Sequence, residues 1–416
     1  MSERTVSVQD AAQVLRPPLD GLPYLRHDRA GELSLDGGAL SVADGRIAGF
    51  EADAGAALQV DASGCAVVPG FVDCHTHLPF AGWRAEEYEQ KVTGVPYEEI
   101  SRSGGGIASS ARAFAAARDE QVLAQARGLA AEMLSHGTTT FETKSGYGLG
   151  VEAELRALRL AGRLDVPQTV VSTALLAHAV PEGYDADGWL DAVEAAVLPA
   201  LADMPHVRAL DVFVETVAFD NEHLARVGRW AAAAGLDLRA HVEQFATHRS
   251  VPVALEHAAR SVDHLSCLPP DDVGPLAAAE CAAVLLPGAE FLGGERTAPG
   301  RDLADAGAIC VLATDANPGT SPVFSLPVII GLGVRRYGLS AREALLAATL
   351  NAAWTLGRSD ELGSLEAGKR ADFLVLDGPV ESVAYRFGHN PVAAAFVAGR
   401  PVWVRPDQAW RVGGAT

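Results

Sequence analysis

Lysine is scarce in this chain: only Lys91, Lys144 and Lys369 stand among 33 basic residues, the rest being arginine. Basic residues as a whole are outnumbered by 53 acidic ones, which leaves a formal net charge of −20. An excess of that sign repels polyanions over a Debye length and argues against nucleic acid or an anionic membrane surface as partner. Aromatic residues make up only 6%, and cysteine is limited to Cys65, Cys74, Cys267, Cys281 and Cys310. Five is an odd number and no two are spaced C-x-x-C, so they read as reduced thiols, mostly in the core. The longest apolar runs, such as 309–313 and 328–332, fall far short of the ~20 residues that span a bilayer. The opening MSERTVSVQDAAQVL lacks the continuous apolar stretch of a secretory signal, so the cytoplasm is the expected location. Also missing are a G-x-x-x-x-G-K-[ST] loop, a G-x-G-x-x-G opening a helix after a strand, and a G-x-S-x-G elbow. Nucleotide cofactors have no visible seat, and a serine nucleophile is poorly supported.

What is present is 416 residues, 49% of them apolar, enough for a large buried core. Short β-branched runs at 66–74, 138–142, 169–175, 210–215, 237–242, 261–265, 282–286 and 308–314 alternate with alanine- and leucine-rich stretches. Among the latter, 119–135, 186–203 and 221–234 have helical patterning, and 340–357 follows the last run. Eight strands with crossover helices fit an α/β fold of the (β/α)8 barrel type, although a doubly wound sheet alternates similarly. The two ends of the chain differ, with short alternating segments and Gly/Asp turns that read as antiparallel β. The organisation expected is a small β-sandwich domain built from 1–65 and 364–416, flanking a barrel over 66–363.

In PGFVDCHTHLPF, His75 and His77 are two apart on an extended segment, so both imidazoles project from one face and suit a shared metal ion. An isolated H-x-H can equally be two hydrogen-bonded histidines. Its position at the end of the first strand weighs against that, because barrels place function at the C-terminal ends of their strands. His241, His264 and Asp315 recur at the ends of the fifth, sixth and eighth strands. Singly, each reads as a satisfied interior histidine or a turn former; together they supply nitrogen and oxygen donors around one mouth. No lysine ends the fourth strand, where a carboxylated lysine would bridge two metals, so one ion is expected. Its ligands would be His75, His77, His241 and Asp315. Such a cation lowers the pKa of a bound water to about 7 and polarises a carbonyl, which makes hydrolysis the natural chemistry. Asp315 or His264 would take the proton and return it to a leaving nitrogen.

These residues, with the closing GSLEAGKRADFLVLD, resemble the amidohydrolase superfamily. Within it, AGWRAEEYEQKVTGVPYEEISRSGGGI, TTTFETKSGYGL, LLAHAVPEGY, RAHVEQF, SVDHL, LLPGAEF and TDANPGTSP are similar to the imidazolonepropionases, in order over roughly 65–375. The resemblance implies hydrolysis of the cyclic amide of 4-imidazolone-5-propanoate to N-formimidoyl-L-glutamate, one zinc or iron ion per subunit, and a homodimer. It places the metal ligands on the same four residues and substrate contacts on Arg84, Tyr147, His178, Gln244, Asn317, Gly319 and Thr320. Arg84 offers a bidentate fork for the propanoate, and His178 and Tyr147 could hydrogen-bond the ring or a developing oxyanion. Plainer readings stand beside these: Arg84 as a surface partner of Glu86 or Glu87, Tyr147 as a turn aromatic, Asn317-Pro318-Gly319 as an ordinary turn, and Glu142, Glu215 and Glu243 as structural carboxylates. The loop FLGGERTAPGRDLADAG departs from the pattern. The rival readings are a sister amidohydrolase deaminating a purine, pyrimidine or similar ring, and a catalytically silent barrel. A neutral base would give Arg84 no carboxylate to hold, and a silent barrel would be expected to have lost a ligand.

Overall fold

The computed structural model describes residues 5–95, 99–100, 103–294 and 296–414. Part of the AGWRAEEYEQ…SGGGI motif and one residue of the FLGGERTAPG loop lie outside them. Eight parallel strands form one sheet in sequential order: β1 (Phe71–Asp73), β2 (Thr138–Lys144), β3 (Thr169–Ala177), β4 (Val207–Phe213), β5 (Asp237–Val242), β6 (Ser261–His264), β7 (Ala282–Leu285) and β8 (Ile309–Leu312). The two edges meet just beyond the strand ends. Thr76 bridges Ala316 in parallel, the His77 N–H donates to the Ala316 carbonyl at 2.9 Å, and the Asp73 carboxylate accepts from the Thr314 hydroxyl at 2.6 Å. The arrangement is a nearly closed (β/α)8 barrel, with helices on its outside.

Local sequence accounts for the helices. Asp119–Ser135 buries Val122, Ala126, Leu129, Ala130 and Met133, an apolar stripe at helical spacing that faces the barrel. Asn221–Ala234 starts at Asp220, whose carboxylate accepts from the Glu222 and His223 N–H groups, and stops at Gly235 in the left-handed conformation. The stretch 186–203 is helical but irregular: it widens into a π turn over Val193–Val197 just before Pro199, which cannot donate to an α turn. The expected single helix over 340–357 is two, Ala341–Ala347 and Leu350–Thr355. At the break the Thr349 hydroxyl bonds back to the Leu345 carbonyl at 2.6 Å.

The first expected strand, 66–74, is also divided. Ala66–Pro69 pairs antiparallel with Phe373–Leu376 in a sheet of the terminal region, and only Phe71–Asp73 belongs to the barrel. The change of sheet falls at Gly70, where a Cβ would lie 2.1 Å from the Thr139 hydroxyl, so only glycine lets the backbone pass. The terminal segments form two five-stranded sheets with a shared apolar core that includes Val8, Leu40, Ile47, Val60, Phe373 and Phe396. Pairing there is antiparallel except between Val6–Ala11 and Leu58–Asp61 and between Gln13–Val14 and Ala66–Pro69, which run parallel. All five cysteines are free and buried. No described helix is long and apolar enough to cross a membrane.

Candidate active site

The C-terminal ends of the strands deliver the site. His75 and His77 follow β1, His178 follows β3, His241 lies in β5, His264 closes β6 and Asp315 lies three residues past β8. Four non-glycine residues at these exits, Glu243, His264, Leu265 and Asp315, adopt positive φ (55°, 81°, 66° and 53°). Backbone held in this region costs energy and is found where surrounding structure over-determines it, often at functional sites.

The donor atoms converge in two overlapping groups that share His75. Those of His75, His241 and His264 lie within 4.8 Å of one another, as do those of His75, His77 and Asp315. Asp315 Oδ1 is 3.2 Å from His77 Nε2 and 3.6 Å from His75 Nε2. The outward nitrogens of two imidazoles are engaged: His75 Nδ1–H donates to Asp263 Oδ2 at 2.5 Å and His241 Nδ1–H to Asp211 Oδ1 at 3.0 Å. Their Nε2 atoms are buried without a hydrogen-bond partner. A carboxylate can only accept, so these bonds fix the tautomer and leave both Nε2 lone pairs free for a cation. The nitrogen and oxygen donors of His75, His77, His241, His264 and Asp315 thus have the chemistry and the spacing to hold a borderline metal ion.

Burial dominates the electrostatics. It pushes the imidazoles of His75 and His77 well below the usual range, helped by the neighbouring histidines and Lys144, and pushes His264 down to about 3 against the opposing pull of Asp315. All are neutral at pH 7, the form in which an imidazole can ligate or accept a proton. Burial raises Asp315 and lifts Asp263 to about 6, which leaves Asp263 ionised at neutral pH. Burial opposes ionisation of Asp211 as well, but His241 and Lys144 outweigh it and hold that carboxyl below its usual range.

Above the cluster opens a cleft lined by His77, Arg84, Tyr147, His178, His241, Gln244, His264, Asp315, Asn317 and Thr320. Arg84 is buried, with Glu87 3.8 Å from its Nε, and its Nε and Nη1 atoms have no hydrogen-bond partner, so it is not the exposed surface arginine of the plainer reading. Gly319 does not line the cleft; it lies against Arg84, where a Cβ would come within 1.7 Å of the guanidinium. The Asn317 side chain is engaged in its own turn, accepting from the Gly319 and Thr320 N–H groups at 2.8 and 2.7 Å. His178 Nδ1–H donates to the Gly146 carbonyl at 2.9 Å, so Nε2 faces the cleft as an acceptor. A neutral His178 can receive a ring N–H but cannot donate to an oxyanion.

Sequence reasoning missed two sets of residues. Ile107, Phe213 and Phe245 supply apolar wall, and nothing in their local pattern marks them. Lys144, Asp211 and Asp263 lie beneath the histidines; the available signal was a lysine, one of three in the chain, two residues past the expected strand 138–142. Of the glutamates left open, Glu215 accepts from the Phe245 and Ala246 N–H groups and Glu243 from those of His248 and Ser250. Both fasten the loop that carries Gln244.

The amidohydrolase family matches residues 66–402. Curated relatives named imidazolonepropionase include those of Rubrobacter xylanophilus, 46% identical over 82% of either chain, and Deinococcus radiodurans, 45% identical over 82% of this chain and 84% of its own. That of Cupriavidus necator is 42% identical over 87% and 90%. Among solved structures, an adenosine deaminase from Xanthomonas campestris with bound zinc superposes with a TM-score of 0.70 at 18% identity over 96% of this chain and 93% of that one. A guanine deaminase from C. acetobutylicum gives 0.70 at 14% over 96% and 100%. At such identities these two share the fold alone. The chain belongs to the amidohydrolase family and, within it, to the imidazolonepropionases.

Proposed function

We propose that this cleft hydrolyses the ring amide of 4-imidazolone-5-propanoate to N-formimidoyl-L-glutamate, using one zinc or iron ion held by His75, His77, His241 and Asp315. The observation that carries the reading is Arg84, a buried guanidinium with unpartnered nitrogens that shares one cleft with the imidazole cluster. A substrate that carries a carboxylate on a hydrolysable ring meets both features. A neutral purine or pyrimidine would leave two buried guanidinium nitrogens without a hydrogen-bond acceptor, the Glu87 carboxylate standing 3.8 Å away.

When bound, the cation would act as a Lewis acid on the ring carbonyl and lower the pKa of a water. Arg84 holds the propanoate, with Gly319 giving it room and Gln244 and Thr320 beside it. His178 Nε2 accepts a ring N–H, and Tyr147 closes the same side. His264, or Asp315 next to it, takes a proton from the attacking water. The water oxygen bonds to the carbonyl carbon and the carbon–nitrogen bond breaks; the proton passes to the leaving nitrogen, which stays on the formimidoyl group. The apolar Ile107, Phe213 and Phe245 limit water around the ring.

The charge of −20 supports a small-molecule role without nucleic-acid or anionic-membrane partners, and the homodimer rests on the family resemblance. The test is to supply zinc or iron to the purified protein and follow loss of imidazolonepropanoate absorbance together with formation of formimidoylglutamate. Metal-replete protein that leaves this substrate intact would contradict the proposal.

A further inference from the structure

Among the buried cations that the chemistry above leaves unused, one lies directly beneath the imidazole cluster. Lys144, the last residue of β2, is wholly inaccessible to solvent. Its ammonium lies 2.7 Å from Asp211 Oδ2, 2.9 Å from Glu142 Oε2 and 3.9 Å from Asp263 Oδ2. Asp211 is the carboxylate that receives the His241 Nδ1–H, and Asp263 the one that receives the His75 Nδ1–H. The Lys144 backbone N–H donates at 2.9 Å to the carbonyl of Thr76, the residue between His75 and His77. One residue on β2 thus touches the carboxylates that hold two of the three proposed imidazole ligands and the backbone between His75 and His77.

The residue type suits the place. An ammonium carries three donors around a compact charge and no acceptor, so it can face several carboxylates at once. Arg239 occupies the other oxygen of Glu142 at 2.6 Å, leaving Oε2 directed at Lys144. Without the ammonium, Asp211 and Asp263 would face each other as like charges in a low-dielectric interior. They would turn apart, and the two imidazoles whose Nε2 atoms must meet at one point would lose their fixed orientation.

We infer that Lys144 is the positioning residue of the metal centre: by bridging Asp211 and Asp263 it sets the orientation and tautomer of His241 and His75 and so tunes cation affinity. This rests on the reading that those histidines are ligands. Outer partners of metal-bound histidines typically change affinity by ~10–100-fold when removed. Lys144→Met alone leaves surplus buried carboxylate and could unfold the protein. The deciding variant is therefore the double substitution Lys144→Met/Glu142→Gln, which removes one charge of each sign and keeps the net charge of the cluster.

Zinc affinity is to be measured by chelator competition on the stripped full-length protein, with circular dichroism as the check on folding and KM and kcat read at saturating zinc. The double variant is expected to keep the fold and KM but to bind zinc at least ~10-fold more weakly than wild type. A double variant whose zinc affinity falls less than that would overturn the inference, since charge balance alone would then explain Lys144. Wild-type protein that binds no zinc or iron at all would overturn the parent reading, a distinct outcome.

Discussion

Below the barrel mouth the interior holds Glu142, Lys144, Asp211, Arg239 and Asp263, all buried and joined by ion pairs of 2.6 to 3.9 Å. Between the two terminal sheets the interior holds Val8, Leu40, Ile47, Val60, Phe373 and Phe396, with the two phenylalanine rings stacked 4.3 Å apart. Both interiors exclude water, but by different means. An apolar core gains from leaving water, whereas buried ion pairs often do no better than apolar replacements and sometimes worse. A set of buried charges beneath the mouth is therefore hard to explain as a device for stability. Its geometry explains it better, since two of the carboxylates, Asp211 and Asp263, terminate on imidazoles of the site, His241 and His75. Substitutions in one interior should thus appear in chemistry, and in the other as stability.

The sharpest contrast is expected at His264. His264→Ala should lower kcat by ~10²–10⁴-fold, the usual worth of a positioned general base, with metal content unchanged; a variant stripped of metal would instead make His264 a ligand. In the sandwich, Phe396→Ala should cost about 3–5 kcal/mol in denaturant unfolding while kcat of the folded enzyme stays near wild type. A matching fall in kcat would erase the distinction between the two regions. Arg84→Ala removes a charge-assisted contact worth ~1.5–3 kcal/mol and should raise KM by roughly 10–100-fold with metal retained. Gly319→Ala should act in the same direction by displacing the guanidinium, and unchanged KM in both would remove the proposed anchor.

The smallest effect concerns a buried histidine outside both interiors. His27 Nε2–H donates to the Glu343 carbonyl at 3.1 Å, and burial pushes its pKa down to about 4. The folded protein holds it neutral while the unfolded chain protonates it near 6.5, so its contribution to stability is complete above that pH. It is lost as pH falls from about 6.5 towards 4, amounting to about 2 kcal/mol by pH 5. His27→Gln should flatten this part of the stability–pH curve; an unaltered slope between pH 7 and 5 would show that other groups set it.

Much of this was legible in the residues because it is local. The helices Asp119–Ser135 and Asn221–Ala234 carry their own stripe or cap, and the histidines and Asp315 are marked by sitting at strand ends. The division of 66–74 was not legible, since the backbone's passage at Gly70 depends on Thr139 of a neighbouring strand. Nor was the service of Asp211 to His241, or of Asp263 to His75. Those pairs are 30 and 188 positions apart, and an aspartate in a strand reveals no partner until neighbouring strands are in register. Gly319 was expected among the substrate contacts, with an ordinary turn as the plainer reading, and its close approach to Arg84 is visible only in three dimensions.

In the function proposed above, His75, His77, His241 and Asp315 together hold one catalytic ion. Elemental analysis of purified protein, reconstituted with zinc or iron and freed of excess metal, tests it most directly. One ion per chain is expected in the wild type and none in a His241→Ala variant that still folds. Two ions per chain, or a full complement in His241→Ala, would contradict it.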